Sequence, residues 1–377
     1  MKEFKGYSLG IISKNNIGAF FDKKLMIYNL DTDTILFDDP NLFKRGEEIC
    51  DVNFTPNNKY LVVYTFKSHV AVFKIYDDHV DLIFKDDSLK NCYSSESRFL
   101  VFNDLFIIGV TLLKENKKQT YFVYSMDGKY KEIIENPKTI ANESSLSTSM
   151  QQDNLFTFYY QSVGEKDFTF NSFRSNGTLI NNKIVLKNIN FCKLLEDNGF
   201  LDKRIYSFDE YRFFVINLHT NENYKEGIYY IDLENEKIEF LCDYPKIKDL
   251  NVLKKDNYNI LEDIEYLKNP KKKKIEEIEI SNQYIYDKTN NYLFIFVENF
   301  LSYMYSFTGV RKEVPNHIKC YKCDLTNHKL SLEKTYTVMF TNPTNYLDLG
   351  TVNKDYMLFN YMKRLVVYKI DKDGNLV

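Results

Sequence analysis

Tryptophan is absent from this 377-residue chain, and glycine (13), proline (7), cysteine (6) and histidine (5) are scarce. Each shortage excludes something. So little glycine and proline rules out collagen-like, low-complexity or linker-built organisation. Cys50, Cys92, Cys192, Cys242, Cys320 and Cys323 are spread along the chain, which suits reduced thiols better than a disulfide framework. Nowhere do about 18 apolar residues run together, so no membrane-spanning helix is expected. Residues 1–30 lack the charged start, apolar centre and small-residue cleavage site of a secretory signal. Cytoplasm or nucleus is the expected location.

Neither sign of charge dominates. With Lys+Arg at 50 against Asp+Glu at 53, the formal net charge of −3 supplies no field to draw in phosphate backbones, and a nucleic-acid partner is disfavoured. Catalytic signatures are missing too: no G-x-S-x-G, P-loop, G-x-G-x-x-G or H-E-x-x-H occurs. Paired acids such as Asp38-Asp39, Asp77-Asp78 and Asp86-Asp87 sit in no calcium-loop ladder and read as turn chemistry. His69, His79, His219, His317 and His328 could serve as bases, yet none lies in a nucleophile motif, and His79, His219 and His328 fall in expected turns. No catalytic residue and no cofactor is assigned.

What the chain has is aromatic and β-branched material in alternation. Thirty Tyr, 30 Phe and 44% hydrophobic residues supply a large core, while 27% charged residues keep the surface solvated. The clearest pattern runs from Asp51 to Asp87. Asp51 to Thr55 reads as a strand, Pro56-Asn57-Asn58-Lys59 as a turn, Tyr60 to Phe66 and His69 to Tyr76 as strands, and Val80 to Lys85 as a fourth after the Asp77-Asp78-His79 break. That is one four-stranded antiparallel unit.

FTPNNKYLVVYT followed by HVAVFKIYD resembles the inner half of a WD40-type repeat, a turn before a hydrophobic strand and then V-x-V-aromatic. The closing Trp-Asp pair and the Gly-His dipeptide of that repeat are absent throughout. The resemblance therefore implies a β-propeller scaffold without the regular WD40 side-chain network, and no binding residue transfers from it.

The last hairpin of the unit recurs seven times, each copy an aromatic strand meeting an Asp/Asn-rich turn: Met26 to Phe37, Phe73 to Phe84, Val123 to Ile134, Phe173 to Ile184, Tyr230 to Leu241, Tyr321 to Leu332 and Val367 to Val377. Another apolar strand precedes each. The expectation is an all-β chain, a seven-bladed β-propeller of four-stranded antiparallel blades forming a single domain over 1–377. The blades are placed at about 1–39, 49–87, 98–135, 150–186, 204–243, 275–338 and 345–377. Either the short final strand Gly374 to Val377 or Met1 to Phe4 completes the last blade.

Three regions break the repeat. Glu135 to Asn154 is polar and Ser-rich and reads as an inter-blade loop. Lys246 to Gln283 reads as an insertion, with Leu250, Leu253, Ile260, Leu261, Ile264 and Leu267 at near-helical spacing, so a short helix is expected over about 248–268. Phe300 to Ile318 reads as a widened loop.

His317, Cys320, Cys323 and His328 contain the C-x2-C-x4-H spacing of a zinc knuckle. The fourth cysteine is missing, Glu333 stands in its place, and a strand over Ile318 to Asp324 sends Cys320 and Cys323 to opposite faces. Two thiols and two histidines in a hairpin, with no metal, is the expectation; zinc on these four residues is the alternative. Lys271, Lys272, Lys273 and Lys274 form a basic run, and Phe300, Tyr303, Tyr305 and Phe307 an aromatic segment; both are candidate partner-binding residues. These features imply a non-enzymatic intracellular scaffold that binds protein partners within a multiprotein assembly. The alternative is a propeller enzyme or small-ligand binder, hydrolase- or lactonase-like, that uses the central channel.

Overall fold

A computed structural model describes residues 1–44, 47–88, 92–93, 99–112, 118–129, 131–135, 150–152, 155–161, 168–176, 179–186, 188–198, 200, 204–207, 211–217, 222–243, 279–287, 290–299, 314–324, 326–327, 329–340, 348–361 and 364–377. They fall into two compact units, Gly10–Phe240 and Met1–Leu9 with Leu241–Val377. The first strand, β1 (Lys2–Lys5), belongs to the second unit and is taken up with it below.

In the Gly10–Phe240 unit the first sheet follows chain order: β2 (Leu9–Ile12), β3 (Ile17–Phe21), β4 (Leu25–Asn29) and β5 (Thr34–Asp39). The second is β6 (Ile49–Phe54), β7 (Tyr60–Thr65), β8 (Val70–Ile75) and β9 (Val80–Asp86). In the third, β10 (Cys92–Tyr93) and β11 (Phe99–Val101) both pair with β12 (Leu105–Leu112), followed by β13 (Lys118–Ser125) and β14 (Lys131–Glu135). Its inner strand is thus split in two, a departure from the expected four. The fourth sheet is β15 (Met150–Gln152), β16 (Leu155–Gln161), β17 (Phe168–Ser175) and β18 (Leu179–Leu186). A helix, α1 (Ile189–Asp197), leads into the fifth, β19 (Arg204–Ser207), β20 (Arg212–Asn217), β21 (Gly227–Asp232) and β22 (Lys237–Cys242).

The second unit holds a sheet of β23 (Glu279–Asp287), β24 (Tyr292–Asn299), β25 (Val314–Asp324) and β26 (Lys329–Phe340). Its other sheet has the order β1-β29-β28-β27, from β27 (Asp348–Val352), β28 (Tyr356–Tyr361) and β29 (Arg364–Lys369). Both readings of the closing strand hold in part. Lys2 to Lys5 pair with Val367 to Arg364 and Glu3 accepts from Arg364 at 3.2 Å, while Val377 exchanges two backbone hydrogen bonds with Lys369 farther along β29.

β7 and β8 are mainly apolar because a sheet covers each of their faces. Leu61 and Val63 of β7, with Ala71 and Phe73 of β8, pack toward the first sheet against Ile27, Leu25 and Phe21. Val62, Tyr64, Val70 and Val72 alternate to the other side and meet Phe106, Ile108 and Tyr124 of the third sheet. Turn groups add polar stitches between neighbouring sheets. The Lys14 N–H donates to Asn58 Oδ1 at 3.1 Å, the Asn57 N–H to Asn103 Oδ1 at 2.7 Å, and Ser175 Oγ to Asp104 at 2.6 Å.

The recurring hairpin has a local cause. Asn29, Asp232, Asp324 and Asp371 each close their turn by accepting backbone N–H groups two to four residues on: Asp31 and Thr32, Glu234 and Asn235, Thr326 and Asn327, Asp373 and Asn375. A left-handed residue often follows, such as Asp33 (φ 61°), Glu236 (φ 52°) or Gly128 (φ 69°). Gly128 is required twice, since a Cβ there would lie 2.2 Å from the Phe84 ring of the adjacent sheet.

Three expectations need correction or fall elsewhere. Residues 314–318, read as loop, are strand, because β25 and β26 grow to 11 and 12 residues and keep pairing out to Val314 and Phe340. α1 was not anticipated. Asn188 caps it by accepting from Asn190 and Phe191, and Phe191, Cys192 and Leu195 dock on Phe213, Tyr229 and Ile231. The Ser-rich stretch contains β15 at Met150–Gln152, whereas the helix expected over 248–268 lies outside the described residues.

Candidate functional site

Lys271, Lys272, Lys273, Lys274, Phe300, Tyr303, Tyr305, Phe307 and His328 lie outside the described residues. The segments that carry the first eight connect β22 to β23 and β24 to β25. Of the zinc-spaced residues, His317, Cys320 and Cys323 sit on β25, where His317 Nδ1 is 3.3 Å from Thr337 Oγ1 on β26. Cys320 and Cys323 are buried, and burial pushes both thiols up to about 12. Cys320 packs among Phe294, Ile318 and Val338. Among the described residues no group of three or more His, Cys, Asp or Glu is placed to hold a metal ion.

Those thiols give a pH prediction. A free thiol titrates near 8.5, so above that value the unfolded chain ionises while Cys320 and Cys323 stay protonated. The native state then binds more protons than the unfolded state, and stability falls as pH rises. Tyr336, also pushed up to about 12 by burial, adds to the loss once pH passes the ordinary phenol value of about 10. Thermal melts are expected to be level near neutrality and to drop steadily from about pH 9 upward. Iodoacetamide at pH 8 should leave both thiols unmodified until the chain is unfolded. A flat melting profile to pH 11, or rapid native labelling of Cys320, would refute this.

A buried polar cluster that sequence reading did not find lies on the second sheet. Glu47, in the connection between β5 and β6, is 1% exposed. Its Oε1 accepts from Thr65 Oγ1 at 2.5 Å and lies 2.7 Å from His69 Nδ1. Thr65 Oγ1 in turn accepts the His69 N–H at 3.1 Å, and the Phe66 N–H donates to the Glu48 carbonyl at 3.2 Å. Glu47 Oε2 is buried with no hydrogen-bond partner among the described residues. The cluster ties the inter-sheet connection to the β7–β8 turn, a fastening function. Each residue taken alone looks ordinary in sequence, because the pairing exists only once the connection folds back.

The outer strands share a second feature. Between β4 and β5 the register skips Leu36, between β8 and β9 it skips Ile83, and between β25 and β26 it skips Glu333. Each bulge follows an exposed apolar residue: Ile35, Leu82 or Leu332. Inner strands β6, β19, β23 and β27 carry an extra residue as well, Cys50, Ile205, Asn282 and Gly350. The same strand positions are bent in sheet after sheet.

Seven antiparallel sheets with equivalent hairpins, bulges and two-sided middle strands match solved structures over nearly their whole length. The C-terminal WD40 domain of Sif2 aligns at TM-score 0.50 with 8% identity, covering 98% of this chain and 97% of that one. The Mitotic Checkpoint Complex structure aligns at TM-score 0.50 with 5% identity, covering 98% and 95%. The fold is a degenerate, WD40-like β-propeller of seven blades. A third similar structure is the β-propeller domain of the Trilobed protease from Pyrococcus furiosus, at TM-score 0.45 and 10% identity, covering 99% and 97%. No protein-family model and no curated protein sequence matches the chain. In propeller terms, Glu47, Thr65 and His69 fasten the connection from the first blade to the second. No described helix is long and apolar enough to cross a membrane.

Proposed function

We propose that the propeller is a non-enzymatic interaction platform, a subunit of an intracellular multiprotein assembly located in the cytoplasm or nucleus. The observation that carries this reading is the contrast between a stitched scaffold and two long departures from it. Neighbouring blades share apolar seams and turn-to-turn hydrogen bonds. The chain's two richest candidate contact segments, the lysine run 271–274 and the aromatic stretch 300–307, emerge from the connections β22–β23 and β24–β25. Loops on a rigid scaffold are where binding residues concentrate; clustered aromatic side chains make the strongest contacts, and a lysine run steers an acidic partner. Two variants test the proposal. One carries Lys271→Glu, Lys272→Glu, Lys273→Glu and Lys274→Glu; the other carries Phe300→Ala, Tyr303→Ala, Tyr305→Ala and Phe307→Ala. At least one should lose a stoichiometric protein partner captured by the parent chain from its own cells, by tenfold or more, with an unchanged melting temperature. Partner recovery unaffected by both variants would remove these segments from the proposal.

A further inference from the structure

An open sheet edge is a row of unpaired N–H and C=O groups, and proteins guard such edges with bulges, charges or short strands. In this chain β5, β9 and β26 are bulged, and β14 has only five residues, KEIIE, three of them charged. β18 is neither bulged nor short, and a single charge is its only guard of these three kinds. Its eight residues, LINNKIVL, pair with β17 at every position from Phe168↔Leu186 to Ser175↔Leu179, and Lys183 is their one charge. It stands last in its sheet, so its far edge is unpaired among the described residues, and Ile180 and Val185 are 37% and 40% exposed.

We infer that β18 pairs antiparallel with β18 of a second copy of this chain, forming a twofold dimer through one continuous sheet. Symmetry limits the register. Hydrogen-bonded and non-bonded pairs alternate along an antiparallel ladder, so the twofold axis must pass through a residue facing its own copy. Centred on Lys183, the ladder would set lysine against lysine, an unfavourable like-charge pair. Centred on Asn182, it sets Asn181 against Lys183, Ile180 against Ile184 and Leu179 against Val185. Apolar positions then meet apolar positions and no like charges oppose. This self-complementarity selects a second copy over an unrelated strand.

The test is sedimentation of the full chain over a concentration series. The parent chain should dimerise. Asn182→Lys and Asn182→Glu should each weaken the dimer at least tenfold, because each places like charges on the axis, and a one-to-one mixture of the two should restore it. Ile180→Lys, at an exposed edge position, gives a further weakened variant should the first pair fold poorly. Leu82→Lys on the bulged β9 should leave dimerisation unchanged. A parent chain that stays monomeric throughout, a dimer untouched by the β18 variants, or a mixture no tighter than its components would overturn the inference.

Discussion

Replacing His69 by alanine is expected to destabilise the protein by about 3 kcal/mol, the cost of leaving the buried Glu47 carboxyl without one of its two donors. Glu47 cannot move to water in compensation. It is 1% exposed, its connection is pinned by the Phe66–Glu48 backbone bond, and Oε2 has no hydrogen-bond partner among the described residues, so Thr65 would be its remaining donor there. Glu47→Gln should cost less, about 1–2 kcal/mol, since the amide oxygen still accepts from Thr65 and His69. Replacing both residues together, as Glu47→Leu with His69→Phe, should recover part of the loss, because neither of the two leaves the other orphaned and only the Thr65 hydroxyl loses its acceptor. Denaturant midpoints of the three variants would check the order. A His69→Ala variant as stable as the parent would mean that the cluster fastens nothing.

Phe73→Ala is expected to cost a similar amount, about 3–5 kcal/mol, as transfer energy and the residual cavity add together. Phe73 is fully buried in the seam between the first two blades, where its ring meets Phe37 edge-on at 4.7 Å between centroids. It sits among Leu25, Leu61 and Ala71, on strands tied into ladders on both sides, so the seam has little freedom to collapse into the hole. Its cross-strand partner Leu82 supplies the control. Leu82 is 46% exposed on the outer strand, and Leu82→Ala should change stability by about 0.5 kcal/mol or less. Equal losses at the two positions, measured by thermal or denaturant unfolding, would contradict the seam description.

What was legible in the sequence is what local chemistry determines. Four of the seven hairpins could be read because Asn29, Asp232, Asp324 and Asp371 satisfy the backbone donors of their own turns, so the signal lies within a few residues. Strands such as β7 could be read because burial on both faces makes nearly every position apolar. Features set by distant partners were hidden. The Glu47–His69 pair, for example, spans a connection and two strands, whereas the seat of β1 beside β29 was open to sequence reading as one of two ways to complete the last blade. The split of the third blade's inner strand and the full reach of β25 are likewise fixed by pairing across strands. α1 did carry a signal, the Asn188 cap followed by apolar residues at 191, 192 and 195, but it is short beside the strong strand patterns on both sides. Of the candidate site residues, the zinc-spaced cysteines were legible as a motif. Both are buried on β25, Cys320 by the apolar packing around it.

The most direct test of the interaction-platform reading is the native mass of the chain isolated gently from its own cells. The account expects a particle heavier than 44.9 kDa, or than a twofold multiple of it, by the mass of at least one different protein held in fixed stoichiometry. A particle containing only this chain, whether one copy or two, would contradict it.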